Sequence, residues 1–244
     1  MNVLSLFDGI SCGQLALQRA GIPVTNYFAS EIDKHAIKVT QHNFPETIQL
    51  GDVTKVSADS LPKIDLLIGG SPCQGFSYAG KQLNFEDPRS KLFFEYVRLL
   101  KECKPTWFLL ENVVMKKEYQ DVISRELGVE PILINSALVS AQNRKRLYWT
   151  NIPNVGQPED RNISLKDILE DSVANPAVWS QAQVLKYEQH GYVRKDSYRI
   201  EPLDGKCQCL MAQFGMNEPK IRYENTFRRL TVVETSRLQT VPDD

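Results

Sequence analysis

The chain has 244 residues, 42% of them hydrophobic, so it can bury a full core as one large domain or as a domain with a small second lobe. Its formal net charge of -1 neither supports nor excludes a polyanionic partner, because a nucleic-acid site needs only a local basic cleft. No apolar run approaches the roughly 18 residues of a membrane span, and the first residues lack the basic region of a signal peptide, so we expect an intracellular protein.

The cysteines and histidines limit the metal and redox chemistry. Five cysteines, an odd number without the spacing of a small disulfide-rich domain, indicate reduced thiols in a cytosol-like compartment. With three histidines and no Cys-x-x-Cys motif, we expect no metal site.

Strand and helix patterns alternate along the first part of the chain. The predicted elements are a strand at 2–7, a glycine turn at 8–13, an amphipathic helix ending at Gly21, a strand at 27–32, a helix at 33–43 and a short strand at 48–50. This alternation predicts an α/β fold with a parallel, doubly wound sheet.

The stretch 64–77 carries the strongest candidate for chemistry. A buried strand at 64–68 stops at Gly69 and Gly70 and leads into a loop that contains Cys73. Open α/β sheets place their chemistry just beyond the carboxyl ends of such strands, and Pro72 stiffens the backbone before the thiol. Cys73 is therefore a candidate nucleophile, although a lone cysteine is more often a small buried hydrophobe.

The rest of the chain contains a second strand terminus with polar side chains and a less regular region. A helix is predicted at 91–103, a strand at 106–110 ending on Glu111 and Asn112, a helix at 116–127, and paired strands at 132–136 and 146–150. From Asn151 to Asn225 the sequence is polar and irregular apart from a short helix at 165–170, and it is a candidate second lobe. Residues 227–238 return to ordered structure, with a capping box formed by Thr231 and Glu234.

A glycine turn followed by an acidic residue at the end of the second strand is typical of a nucleoside site. Glu31 would hold the ribose hydroxyls. The spacing of Gly9 and Gly13 departs from the dinucleotide fingerprint, which disfavours NAD. Asp52 could accept a hydrogen bond from an adenine amino group, or it could cap a helix or turn.

Seven blocks occur in a fixed order: FDGISCG, Glu31, GDV, GGSPCQGFS, LLENV, QNRKR and RRLTVVETSRLQTVPD. In this order the sequence resembles the DNA cytosine-5 methyltransferase family over residues 1–150 and 227–244, with features of the branch that contains the de novo enzymes and of bacterial and phage members. The resemblance implies a Rossmann-like, class I S-adenosylmethionine-dependent fold. It also implies a catalytic domain at 1–150, a target recognition region at 151–226 and a return segment at 227–244.

The resemblance further implies methyl transfer from S-adenosylmethionine to carbon 5 of a cytosine flipped out of duplex DNA, as in restriction-modification systems. Cys73 would add to carbon 6 of the base. Glu111 would protonate or hydrogen-bond N3, for which a raised pKa in a closed pocket is expected. Arg144 would face the base or its phosphate and favour the thiolate of Cys73.

Binding residues follow from the same resemblance. The cofactor would contact Phe7, Asp8, Gly9, Ile10, Ser11, Cys12, Glu31, Ile32, Asp52, Val53, Pro72 and Leu92. The DNA would contact Ser71, Ser77, Gln142, Arg144 and Arg146, the last two projecting from one face of an extended segment. Residues 205–215 could form a major-groove loop or a packed strand.

Alternatives remain open at the level of sequence. The family's final Gly-Asn block does not occur in the chain, so we expect either a truncated sequence or a split enzyme whose partner chain supplies that block. A non-catalytic regulatory relative and an RNA cytosine-5 methyltransferase are the competing functions. The expected location is the cytoplasm in a bacterial or phage setting and the nucleus in a eukaryote.

Overall fold

A computed structural model describes residues 1–72, 88–174, 176–190, 199–211 and 218–243. Cys73 and Ser77 lie outside the described residues. The chain forms two compact units, one of residues 1–134 and 146–156 and the other of residues 135–145 and 157–244. Residues 142–144, which we call the QNR segment, and the residues from 227 onward both belong to the second unit. The division into catalytic, recognition and return segments stays a prediction.

The first unit contains a seven-stranded sheet of order β3-β2-β1-β4-β5-β8-β6. Its strands are β1 (Asn2–Leu6), β2 (Asn26–Ser30), β3 (Ile48–Gln49), β4 (Leu66–Gly69), β5 (Trp107–Val113), β6 (Ile132–Asn135) and, after the two-residue β7 (Gln142–Asn143) of the second unit, β8 (Lys145–Thr150). The pairs β1–β2, β2–β3, β1–β4 and β4–β5 are parallel, and β8 runs antiparallel to β5. The predicted doubly wound sheet is confirmed.

Helices of the first unit are α1 (Cys12–Arg19), α2 (Lys34–Asn43), α3 (Pro88–Cys103) and α4 (Lys117–Leu127). Alternating side chains of the strands supply two cores. The larger core joins Leu4, Leu67, Leu110 and Trp149 to the helix residue Phe93, all with zero or nearly zero exposure. A smaller core on β1, β2 and β4 contains Val3, Tyr27 and Leu66.

In its described residues, the second unit contains a short parallel pair, a three-stranded sheet and two α-helices. Its further elements are α5 (Gln181–His190), β9 (Arg199–Ile200), β10 (Cys207–Gln208), β11 (Pro219–Tyr223), β12 (Thr226–Arg229) and α6 (Val232–Leu238). β10 pairs with β7, and β11 lies between β12 and β9. The capping box of α6 is confirmed, since the Thr231 hydroxyl accepts from Glu234 N while the Glu234 carboxylate accepts from Thr231 N.

The expectation of an irregular stretch from 151 to 225 was wrong at α5 and β11. Strand β11 gains its hydrogen bonds from β12 and β9, which are partners that no local pattern reveals. The predicted helix at 165–170 is a single 3₁₀ turn, Leu165–Ile168. Within 205–215, Cys207 and Gln208 form a packed strand, whereas residues 212–217 lie outside the description.

Candidate active site

The turn after β1 has an unusual backbone. Phe7, Gly9 and Ser11 have φ values of 58°, 61° and 60°, in the left-handed region that favours glycine. Hydrogen bonds hold this conformation: Asp8 N donates to Ser30 O over 3.2 Å, and Ser11 N donates to Asp8 O over 3.3 Å. Strained backbone that neighbouring groups hold in place is frequent at binding sites.

Glu31, which follows β2, fixes this turn from the side. Its Oε2 accepts from Gly9 N over 2.8 Å, and its Oε1 accepts from Ile32 N and Asp33 N over 2.7 and 2.9 Å. A carboxylate offers about four acceptor positions, so these three bonds leave about one on Oε2. Glu31 can therefore organise the turn and still accept a hydroxyl from a ligand.

Asp8, within the same turn, takes part in a network of hydrogen bonds between polar side chains. Its carboxylate accepts from the Ser11 hydroxyl and, over 2.8 Å, from the Tyr27 hydroxyl. Burial raises the pKa of Asp8, against the opposing effect of the hydrogen bonds from Ser11, Ser5 and Tyr27. Burial and the nearby Asp8 charge also raise the pKa of Tyr27, so that its hydroxyl stays a donor.

Glu111 stands near the carboxyl end of β5, next to β4. Arg146 Nε donates to Glu111 Oε1 over 2.9 Å, and the two residues are diagonal neighbours because β5 pairs Val113 with Arg146 and Glu111 with Tyr148. The other oxygen, Oε2, approaches Gly70: a Cβ placed there would lie 3.3 Å from it. Gly70 thus leaves room for the carboxylate at the end of β4.

A cavity of about 370 Å³ joins the glycine turn to Glu111. The strand register aligns Ser5, Ile68 and Leu109 across β1, β4 and β5, so their side chains share one face, which is also that of Glu111. The volume lies in the range of small-molecule sites. The lining consists of Ser5, Leu6, Phe7, Asp8, Cys12, Gly13, Ile68, Gly69, Gly70, Leu109, Glu111 and Tyr148.

Other residues predicted to bind the cofactor have mixed surroundings. Ile32 is 74% exposed and Ile10 is 39% exposed, so both apolar side chains are accessible to a ligand. Asp52 caps the short 3₁₀ helix Val53–Lys55 by accepting from Thr54 N over 3.0 Å, a bond that lowers its pKa. Asp52 therefore has the capping role that the sequence offered as one of two, and a contact with adenine stays a prediction.

Val53 and Leu92 contribute to the core rather than to the cavity lining. The Val53 side chain is 5% exposed, so only its backbone could face a ligand, while Leu92 packs against the same core. Pro72 is half-buried at the edge of the described residues.

Ser71, predicted to contact DNA, is 4% exposed, and Asn112 Nδ2 donates to both its carbonyl and hydroxyl oxygens over 3.3 Å. Gln142 is 1% exposed: its Nε2 donates to Leu238 O over 3.2 Å, and its Oε1 accepts from Leu210 N over 2.9 Å. In this structure both side chains make internal bonds.

The two predicted arginines take different partners. Arg146 pairs with Glu111 in the first unit, whereas Arg144 belongs to the second unit and places Nη1 3.6 Å from Cys209 Sγ. Arg144 lies between β7 and β8 rather than within a strand, so the simple expectation of two side chains on one face of an extended segment does not describe their contacts.

Sequence reasoning missed Tyr148 in the cavity lining, the contact of Tyr27 with Asp8, and the space that Gly70 leaves for the Glu111 carboxylate. Tyr148 could have been found as the residue two positions after Arg146 on the same face of a strand. The contact of Tyr27 with Asp8 depends on the pairing of β1 with β2 and has no local signal. Among the described side chains, no group of three or more histidine, cysteine, aspartate or glutamate residues could hold a metal ion.

Comparison with known proteins decides the family. Residues 1–201 match the model of the C-5 cytosine-specific DNA methylases. The chain belongs to this family. It is 36% identical over 222 residues to the orphan methyltransferase M.SPRI of Bacillus phage SPR, covering 84% of this chain and 45% of the relative. It is 32% identical over 273 residues to the type II methyltransferase M1.ScrFI of Lactococcus lactis subsp. cremoris, covering 100% and 70%.

The fold of the chain has counterparts among solved structures. An E. coli protein assigned as a prophage-encoded DNA modification methyltransferase superposes with a TM-score of 0.77 at 22% identity, covering 100% of this chain and 89% of that one. The chain spans less than half the length of the phage relative. Within the described ranges, no helix combines the length and the apolar character needed to cross a bilayer.

Proposed function

We propose that the protein transfers a methyl group from S-adenosylmethionine to carbon 5 of cytosine in DNA. The observation that carries this proposal is the cavity in which Glu111 and the glycine turn share one lining, beside the end of the strand that leads to Cys73. Cofactor and base would then meet at adjacent carboxyl ends of parallel strands.

The residues present fit S-adenosylmethionine, which when bound supplies an electrophilic methyl group. Glu31 has acceptor capacity left for a ribose hydroxyl, and the exposed Ile32 side chain offers an apolar surface to adenine. Cys12 and Gly13, the first two residues of α1, line the cavity, and the positive end of the helix dipole there would suit a carboxylate.

The reaction needs a nucleophile because carbon 5 of cytosine is not nucleophilic by itself. The Cys73 thiolate would add to carbon 6 and later leave, after the proton on carbon 5 is lost. Glu111 would hold N3 of the base with Oε2, since Arg146 occupies Oε1. Arg146 thereby fixes the plane in which the Glu111 carboxyl group meets the ring.

DNA is the proposed substrate. The M.SPRI and M1.ScrFI relatives, a phage and a bacterial methyltransferase, favour the bacterial or phage setting and the cytoplasm over a eukaryotic nucleus. A further polypeptide segment that completes the cofactor cavity is proposed as a partner, because Cys12, which lines the cavity, is exposed, as is the turn residue Ile10. Methylation of RNA and a regulatory role remain the competing functions.

Covalent trapping tests the proposal. The protein is incubated with S-adenosylmethionine and duplex DNA in which 5-fluorocytosine replaces cytosine, beside the variant Cys73→Ser, and resolved on a denaturing gel. Fluorine at carbon 5 blocks the final elimination, so we expect a shifted band that requires both Cys73 and the cofactor. A band that persists in Cys73→Ser would contradict the proposed nucleophile.

The same assay separates the alternatives. If the wild type gives no band on DNA of diverse sequence, a segment that carries the family's final Gly-Asn block is added in trans, and rescue by it would support the split arrangement. Trapping on structured RNA alone would identify an RNA methyltransferase. Silence in all three conditions would favour the regulatory relative.

A further inference from the structure

Two side chains of the QNR segment contact the two residues just after β10, one each. Gln142 Oε1 accepts from Leu210 N over 2.9 Å, and Arg144 Nη1 lies 3.6 Å from Cys209 Sγ. Cys209 Sγ in turn lies 3.5 Å from Leu210 O, within reach of an S–H donor. Residues 142, 144, 209 and 210 therefore form a closed ring of contacts within the second unit.

The backbone alone joins these segments weakly. Strands β7 and β10 are two residues long each, and one further bond, from Cys207 N to Ala141 O over 2.7 Å, extends their pairing. The side-chain contacts therefore make up a large part of the connection. The Gln142 amide also donates to Leu238 O, at the end of α6, over 3.2 Å.

The backbone of Arg144 is fixed independently of its guanidinium group. Arg144 N donates to Asn135 Oδ1 over 3.0 Å, and Arg144 O accepts from Ser136 N over 3.1 Å. The guanidinium group is half-buried on a long flexible stem, and its contact with Cys209 selects one orientation among many. A guanidinium presents five donors in a rigid fork, so a contact at Nη1 restricts where the other four can lie.

We infer that Cys209 is a positioning residue for Arg144 in the methyl-transfer reaction, and that it links the recognition segment to Arg144. The inference rests on the proposed function and on the role that the family resemblance implies for Arg144, which would face the flipped base or its phosphate. Cys209 acts through Arg144 and does not replace Cys73 as nucleophile. A displacement of the segment 207–210 would move the sulfur and with it the guanidinium fork.

The test compares Cys209→Ala, Cys209→Ser and the control Cys103→Ala, which removes a thiol in the first unit near the end of α3. Single-turnover methyl transfer to duplex DNA and the KM for S-adenosylmethionine are measured. We expect Cys209→Ala to lower the transfer rate by roughly tenfold, because a small displacement of a reacting group has a large effect on rate. The KM for the cofactor should stay unchanged, and Cys209→Ser should recover most of the rate, since a hydroxyl also accepts and donates.

An Arg144→Lys background separates positioning from general damage. Lysine keeps the charge but loses the fork, so Cys209→Ala should add little to its defect if the sulfur acts through Arg144. A wild-type transfer rate in Cys209→Ala would overturn this inference and leave the proposed function standing. The same holds if the effects of Cys209→Ala and Arg144→Lys are fully additive, or if Cys209→Ser loses as much rate as Cys209→Ala. Absence of methyl transfer to DNA by the wild type, both alone and with the added segment, would instead overturn the proposed function and this inference with it.

Discussion

At the scale of single residues, the adjacent glycines at the end of β4 meet different neighbours. A Cβ on Gly69 would lie 3.0 Å from Leu6 O and 3.0 Å from the Tyr96 ring, which are a strand backbone and a fully buried side chain. A Cβ on Gly70 would lie 3.3 Å from Glu111 Oε2, the end of a side chain that is about one-third exposed. A side chain at Gly69 would therefore disturb the packing of the core, whereas a side chain at Gly70 would disturb the candidate active site.

Alanine at Gly69 should therefore affect stability, whereas alanine at Gly70 should affect methyl transfer. We expect Gly69→Ala to lower the free energy of unfolding by about 1–3 kcal/mol, the range for overpacking a core. Gly70→Ala should leave stability nearly unchanged but lower methyl transfer by roughly tenfold, because the Glu111 carboxylate must move. Urea denaturation and single-turnover assays measure the two effects. Equal destabilisation by both variants, or wild-type transfer by Gly70→Ala, would contradict this assignment.

At the scale of elements, the agreement between sequence and structure follows the range of the interactions that stabilise each element. Strands β1, β2, β4 and β5 were predicted to within three residues at each end, because buried parallel strands read as short apolar runs. The Thr231 and Glu234 box was readable since a helix cap is local. Strand β11 and helix α5 depend on partners elsewhere in the second unit, so their sequences carry little signal.

The buried pair of Arg228 on β12 and Glu234 on α6 joins two elements of the second unit. Arg228 Nη1 and Nη2 each donate to one Glu234 oxygen over 2.7 Å, and the side chains are 3% and 0% exposed. Burial alone would raise the pKa of Glu234, but the bonds from Arg228, Thr231 N and Glu170 N outweigh it and lower that pKa below the usual 4.5.

Glu234→Gln leaves the Arg228 charge buried without its counter-ion. We expect the free energy of unfolding of the second unit to fall by about 3 kcal/mol at neutral pH. Because the folded pKa of Glu234 is lowered, the stabilisation is present above pH 4.5 and is lost as the pH falls through the folded pKa. Urea titrations across this range should show the loss in the wild type and not in Glu234→Gln.

The exposed pair of Arg237 and Asp243 is the matched control. Its side chains are 34% and 46% exposed, so solvent screens the interaction and Asp243→Asn should change stability little. A comparable loss of stability in Asp243→Asn and Glu234→Gln would show that burial is not what distinguishes the two pairs.

At the scale of the whole molecule, the order of the motifs predicted the family and the sheet, but not which groups meet. Glu31 was expected to bind ribose, and the structure adds three backbone bonds that make it an organiser of the glycine turn. The separate partners of Arg144 and Arg146 arise from contacts between residues distant in sequence. Spacing along the chain does not specify such contacts.

All residues proposed to hold the cofactor belong to the first unit, so we expect a bound cofactor analogue to stabilise that unit. S-adenosylhomocysteine at about 100 times its Kd should stabilise that unit by roughly 2.7 kcal/mol against local opening. Hydrogen exchange should show the strongest added protection at Gly9, Ile32 and Asp33, whose amides already donate to Glu31. In Glu31→Gln one of these amides would face an NH₂ group, so affinity and protection should both fall. Added protection confined to the second unit would place the cofactor elsewhere and remove the basis for assigning the cavity to it.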